Sequence, residues 1–353
     1  MSLAQRLISD IALTGPIRLS DFMARALLDP QDGYYTNRQA IGAFGDFITA
    51  PEISQMFGEL IGLCLAQCWM DQGAPDRFTL AELGPGRGTL MADILRATRG
   101  VPGFASAAEV TLVEASPAMR AVQAETLASH EVQWLEDTHA LPEQPLFLVA
   151  NEFFDALPID QYERANEGWR ARHVGQSDGV LAFGLGPAQP QPVLAHRMED
   201  TSGGDVVEHC PQLGPIVETL SSRVAAHGGA ALIIDYGDWR SLGDTLQALA
   251  GHAAADPLAQ PGHADLTAHV DFEAIARAAT PVKATRLCPQ GVFLERLGIT
   301  ARAQALAAKM QGDMLEQHIA AHRRLTHPDE MGTLFKVMGL IPKTAAPPPG
   351  LEL

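Results

Sequence analysis

The chain has 353 residues, enough for one large α/β unit with insertions or two modest domains, so it needs neither disulfide nor metal staples to close a core. Lys plus Arg is 25 against 42 Asp plus Glu, a formal charge of −17, which argues against general nucleic-acid binding. The 46% hydrophobic content describes a globular chain rather than a disordered one, and no uninterrupted apolar stretch approaches the length of about 20 residues that a membrane-spanning helix needs.

The four cysteines, 64, 68, 210 and 288, form no disulfide framework, and the start of the chain lacks a charged segment followed by a long apolar one. Both features predict a reducing compartment. The expectation is the cytoplasm, with an organellar matrix as the other option if an address has been removed.

In chain order, the first 70 or so residues predict helices and loops. Ser20-Asp21 suits the start of a helix carrying Phe22, Met23, Ala26 and Leu27 on one side. Residues 33–47, GYYTNRQAIGAFGDF, are too punctuated by glycine for a long helix and suit a mobile cover over a site. Thr49-Ala50-Pro51-Glu52 then predicts a new helix running through Ile53, Phe57, Leu60 and Cys64.

From Phe78 the rhythm becomes that of a parallel sheet with crossover helices. Strands are expected at Phe78–Glu82, Val110–Glu114, Val132–Trp134 and Pro145–Ala150, the last apolar at consecutive positions as a strand buried on both faces requires. Ala230–Tyr236 repeats that pattern. Residues 160–205 carry turn-rich, aromatic and polar stretches that predict β-hairpins inserted beside the sheet. Helices are expected over 270–279 and within 293–314, a final strand over Leu334–Met338, and a frayed Pro-rich end. The expected division is 1–70 as a helical and covering region, 71–160 as the first part of the core, 161–225 as a β-rich insertion, 226–343 as the rest of the core, and 344–353 as a flexible tail.

Two segments carry chemistry. Glu82-Leu83-Gly84-Pro85-Gly86-Arg87-Gly88-Thr89 places three alternate glycines between a strand and a helix, where backbone can approach a ligand closely. Thr89 departs from the GxGxxG dinucleotide fingerprint and no GK[ST] follows, which weakens NAD and ATP as ligands. Glu114 ends the next strand, where a carboxylate can accept from a ribose diol. Asn151-Glu152-Phe153-Phe154-Asp155-Ala156-Leu157-Pro158 follows the fourth strand. If a short helix begins there, Glu152 and Asp155 fall on one side and Asn151 and Asp155 are four apart, converging on a cationic group such as a guanidinium. A structural glycine turn with a solvated glutamate is the plainer account of the first segment, helix capping and surface charge that of the second, and Asp235-Tyr236 suit either an acceptor pocket or a cap with a packed aromatic. His252 and His269 suit local hydrogen bonds, His318 and His322 a solvated helix face without a metal, and Cys64 and Cys68 helix packing.

GYYT at 33–36, GDFITAPEISQMFGE at 45–59, ELGPGRGTL at 82–90, NEFFDALP at 151–158 and IIDYG at 233–237 together resemble the MidA family of S-adenosylmethionine-dependent methyltransferases. The resemblance spans most of the chain. It implies a Rossmann-like class I methyltransferase sheet with an N-terminal helical region and substrate-facing insertions, and S-adenosyl-L-methionine as cofactor. It implies donor-binding roles for Asp46, Phe47, Thr49, Glu82, Gly84, Gly86, Gly88 and Glu114. Because the family's mitochondrial member methylates arginine during assembly of respiratory complex I, it further implies a protein substrate, a complex I-type subunit, handled by Asn151, Glu152 and Asp155. A noncatalytic assembly or binding protein keeping this fold is the alternative of a different class, and an NAD-dependent oxidoreductase a weaker one.

Overall fold

A computed structural model describes residues 1–36 and 49–353, so Asp46 and Phe47 lie outside the described residues. By packing, the chain falls into two units. One takes described residues 1–36 with Asp155–Gly214 and Arg240–Asp271, the other 49–154 with Pro215–Trp239 and Phe272–Leu353.

The second unit is built on a sheet of strands β1 (Phe78–Leu83), β2 (Ala108–Val113), β3 (Val132–Leu135), β4 (Leu146–Asn151), β5 (Gly229–Asp238), β6 (Lys283–Ala284) and β7 (Phe335–Ile341). Their order across the sheet is β6-β7-β5-β4-β1-β2-β3. Strands β1 to β5 pair in parallel, and β7 runs antiparallel to both β5 and β6. All six residues of β1 and of β4 are buried, which is why the first five residues of β4, LFLVA, are apolar on consecutive positions rather than on alternate ones. The chain lays β1 to β3 outward in one direction and returns with β4 on the other side of β1. That reversal opens a crevice at the carboxyl ends of β1 and β4, the place where α/β sheets take their ligands.

Helices α1 (Gln55–Asp71), α2 (Thr89–Thr98), α3 (Pro117–Thr126) and α4 (Leu213–His227) complete the frame. α1 is buried almost all round, and it approaches α2 at its two glycines: a Cβ at Gly58 would lie 2.6 Å from Asp93 Cβ, and one at Gly62 2.9 Å from Ile94 Cα. Rings of Trp69, Phe78, Phe104 and Phe147 interlock at centroid distances of 4.9 to 6.0 Å in the core beneath.

In the first unit, Leu3–Thr14 buries Leu3, Leu7 and Ile11, one every turn, and opens with a capping box between Ser2 and Gln5. The 160–205 stretch forms antiparallel strands Asp160–Ala165, Gly168–Ser177 and Val180–Gln189, joined by Val206–His209. The helix expected to begin at Ser20-Asp21 begins at Leu19 instead. Its cap comes from far along the chain: the Asp160 carboxylate accepts from Ser20 N–H at 3.2 Å and pairs with Arg18.

Three local expectations need correction. The helix from Ala50 is not continuous into α1; Ser54 is extended and its hydroxyl accepts from Met56 N–H, so one helix stops at Ile53 and the next starts at Gln55. No helix begins at Asn151. The tail 344–353 does not fray: Leu351 is buried in the core of the second unit, and Glu352 carbonyl accepts from Arg286 N–H at 2.8 Å. Composition suggested a free end, but one leucine finding a core slot outweighs the prolines before it.

Candidate active site

The turn after β1 is shaped by its glycines. Gly84, Gly86 and Gly88 take φ of +59°, +51° and +82°, left-handed backbone that disfavours any residue with a Cβ. At Gly84 space forbids one as well, because a Cβ would lie 2.8 Å from the Phe153 ring. At Gly86 the space is open, leaving backbone exposed to an approaching group. Gly88 caps α2, and the helix N-terminus carries partial positive charge. Thr89, the residue that departs from the dinucleotide pattern, donates its hydroxyl to Glu52 at 2.5 Å.

Glu82 is the last residue but one of the same strand, 3% exposed. Burial pushes its carboxyl up to about 8, against a backbone hydrogen bond from Met91 that works the other way. Its Oε2 is buried with no hydrogen-bond partner among the described residues. On the adjacent strand, Asn151 Oδ1 is buried in the same condition. Two acceptors without donors at a switch point are costly unless something supplies the donors.

Glu114 lies just beyond β2. Its Oε1 accepts from Ser116 N–H at 2.8 Å and its Oε2 from Gln123 Nε2 at 3.1 Å, while burial pushes its carboxyl up despite these bonds. Ala115 N–H also reaches the carboxylate, and of its roughly four acceptor sites at least one stays open for a further donor. Thr49 caps the short helix Ala50–Ile53 through its backbone conformation, and its side chain makes no capping bond.

Beyond β4, Asn151 and Glu152 come together: Asn151 Nδ2 donates to Glu152 Oε1 at 3.1 Å, and so does Ala50 N–H at 3.1 Å. Burial pushes the Glu152 carboxyl up to about 7, with those two bonds and the charge of Arg324 opposing the rise. Glu152 takes φ +51°, unusual for a side-chain-bearing residue, and this is where the helical expectation fails. The physical reason is Asp235 at the end of β5. Its Oδ2 accepts from Phe153 N–H at 3.2 Å and Phe154 N–H at 3.0 Å, fixing a turn in which Glu152 and Asp155 do not share a helical face. Asp235 thus holds the backbone of a turn, and no helix starts there for it to cap. Asp155 belongs to the first unit, where its carbonyl accepts from Ala268 N–H at 3.0 Å. There its charge, after burial and Asp265, helps push the Tyr35 hydroxyl well above its ordinary range.

Gln123, which donates to Gly86 carbonyl and Glu114, and Trp134, which donates to Gln123, are contacts of these segments that sequence reasoning missed. Gln123 stands in AVQAET, a stretch that reads as exposed helix, and nothing in its spacing signals that it is buried. Cys64 and Cys68 are buried free thiols, as helix packing requires. Among the described residues no group of three or more His, Cys, Asp or Glu could hold a metal ion, and no helix is long and apolar enough to cross a membrane.

A parallel sheet with this reversal, a left-handed glycine turn and a carboxylate just after the second strand define a nucleoside-binding α/β protein. Comparison with known proteins narrows the class. A family model described as "Putative S-adenosyl-L-methionine-dependent methyltransferase" matches residues 60–289. The curated human protein arginine methyltransferase NDUFAF7, mitochondrial, is 37% identical over 96% of this chain and 83% of its own length. Its Drosophila melanogaster homolog is 35% identical over 98% and 86%. The crystal structure of a Burkholderia thailandensis protein bound to S-adenosyl-homocysteine superposes with a TM-score of 0.84 at 30% identity, covering 99% of this chain and 94% of that one. The chain belongs to this S-adenosyl-L-methionine-dependent methyltransferase family, and its cofactor is S-adenosyl-L-methionine.

The residues present fit that cofactor. Gly86 leaves room for it, and the donorless oxygens of Glu82 and Asn151 call for hydrogen-bond donors such as its amine. The cytoplasmic expectation is overturned by the curated relatives, which are mitochondrial by name. Free thiols are the reason it misled, since they mark a reducing compartment without telling cytoplasm from matrix.

Proposed function

We propose that this protein methylates an arginine guanidinium of a protein substrate, a respiratory complex I-type subunit, with the donor held at the carboxyl ends of β1, β2 and β4. The arginine and the complex I link rest on the NDUFAF7 relatives, whose similarity runs the length of the chain. The observation that carries the chemistry is Glu152, a carboxyl raised to about 7 and held by Asn151 and Ala50 at the end of β4.

In this reading Gly84, Gly86 and Gly88 let backbone approach the donor, Glu114 accepts from its ribose, and Glu82 faces its amine. Thr49, Asp46 and Phe47 are assigned to donor binding on the strength of the family motif alone. When bound, the donor supplies an electrophilic methyl on a sulfonium. Catalysis then consists mainly of alignment, with the attacking nitrogen about 3 to 3.5 Å from that methyl. Glu152 orients the guanidinium and takes the proton that its nitrogen loses on methylation, and Asn151 holds the carboxylate through Nδ2. The acceptor role of Asp155 rests on its place in the NEFFDALP motif, and the Asp155→Asn variant tests it.

The test incubates wild type, Glu152→Gln and Asp155→Asn with isotope-labelled S-adenosylmethionine and an extract lacking the native protein, then locates labelled methyls by peptide mass spectrometry. Labelled methylarginine in a complex I subunit with wild type, and its loss with Glu152→Gln, is the expected result. Donor binding without any labelled product, in an extract containing unmodified complex I subunits, would replace this reading with a noncatalytic assembly role.

A further inference from the structure

Gln123 lies in α3, fully buried, and no role assigned above depends on it. Its side-chain amide meets three partners. Nε2 donates to Gly86 carbonyl at 2.8 Å and to Glu114 Oε2 at 3.1 Å, and Oε1 accepts from Trp134 Nε1 at 2.9 Å. The amide has one orientation that satisfies them all: an indole N–H can only donate, and a carbonyl can only accept. The backbone closes around it as well, since a Cβ at Gly88 would lie 3.6 Å from Gln123 Cα.

One buried amide therefore joins the central glycine of the turn after β1, the carboxylate after β2 and the indole on β3. Its effect on Glu114 is geometric. The carboxylate is gripped on both oxygens, by Ser116 N–H on Oε1 and by Gln123 on Oε2, so it cannot rotate about its last bond without losing a partner. The acceptor sites that stay open then point in fixed directions. We infer that Gln123 is a positioning residue for donor recognition: it locks the Glu114 carboxylate to the Gly86 backbone, so that a ribose diol meets a preorganised acceptor. The inference rests on the donor-site reading above. It adds a residue that touches neither the donor nor the reacting atoms.

Isothermal titration of wild type, Gln123→Leu and Gln123→Glu with S-adenosylhomocysteine and with its 2′-deoxyribose analogue separates positioning from bulk structural damage. Gln123→Glu keeps the volume and the acceptor for Trp134 while removing both N–H donors, so it serves if the leucine variant folds poorly. Wild type is expected to prefer the intact ribose. Both variants should bind S-adenosylhomocysteine about tenfold more weakly, the scale of one hydrogen bond to a charged group. The deoxy analogue should lose much less, so discrimination between the two ligands narrows. Equal weakening of both ligands, or unchanged affinity for S-adenosylhomocysteine, overturns the inference while leaving the donor site standing. A wild-type protein that binds neither ligand overturns the donor reading and this inference with it.

Discussion

Replacing Glu82 by glutamine tests the electrostatics of the donor crevice without a ligand. The wild-type carboxyl ordinarily titrates near 4.5 and is raised to about 8 in the fold, chiefly by burial. A raised carboxyl means that the folded state holds its proton longer than the unfolded state does. Its contribution is therefore intact below the unfolded value and is lost as pH climbs toward the folded one. Between about pH 5 and about pH 8.5 the loss integrates to about 4 kcal/mol, at roughly 1.4 kcal/mol per unit. Glutamine does not titrate, and its amide keeps the volume. Urea denaturation of both proteins across that range should give a stability difference that moves in favour of Glu82→Gln as pH rises, by a few kcal/mol. Other buried acids titrate equally in both proteins and cancel. A difference that stays level to within about 0.5 kcal/mol would refute the account, because it would mean that ionising Glu82 costs the fold nothing.

Further outcomes follow from the same geometry. If Glu152 accepts the proton, kcat should rise with pH through a limb near its folded value of about 7, and Glu152→Gln should abolish the limb along with most of the rate. Gly84→Ala should destabilise more than Gly86→Ala in chemical denaturation, since both meet left-handed strain of about 1 to 2 kcal/mol but the first also strikes the Phe153 ring. Glu59 is buried between two arginines, accepting from Arg302 at 2.7 and 3.0 Å and from Arg96 at 2.8 Å. Burial raises its carboxyl, but these bonds outweigh burial and hold it below its ordinary range. Its contribution is thus present at neutral pH and lost as pH falls through the lowered value, and Glu59→Ala should cost about 3 kcal/mol in a neutral urea melt. Leu351→Ala should cost about 2 to 5 kcal/mol in the same assay, whereas a free tail would leave the midpoint unmoved.

The strands β1, β2, β4 and β5 were legible because a central parallel strand must be apolar on both faces, and short unbroken runs such as LFLVAN and AALIIDY have few other uses. The glycine turn was legible for a related reason: three alternate glycines after a strand mark backbone that no side chain can follow, and the three left-handed φ values agree. Glu152 could be singled out by its place after β4. Its partner Ala50 could not, since that N–H lies 102 residues back along the chain.

What the sequence determined by itself was periodic or local: which runs are buried strands, where glycine is required, and which family the motifs resemble. What tertiary structure decided was everything that depends on a distant partner. Asp235, from β5, turns the NEFF segment away from the helix that its own spacing suggests. Asp160 moves a helix start by capping it from another strand, and Leu351 converts a Pro-rich end into part of a core. Gln123 meets its partners only because the turn after β1, α3 and β3 bring a carbonyl, an amide and an indole together. A buried polar group must find its partners wherever the fold places them, and a linear sequence carries the groups without the distances between them.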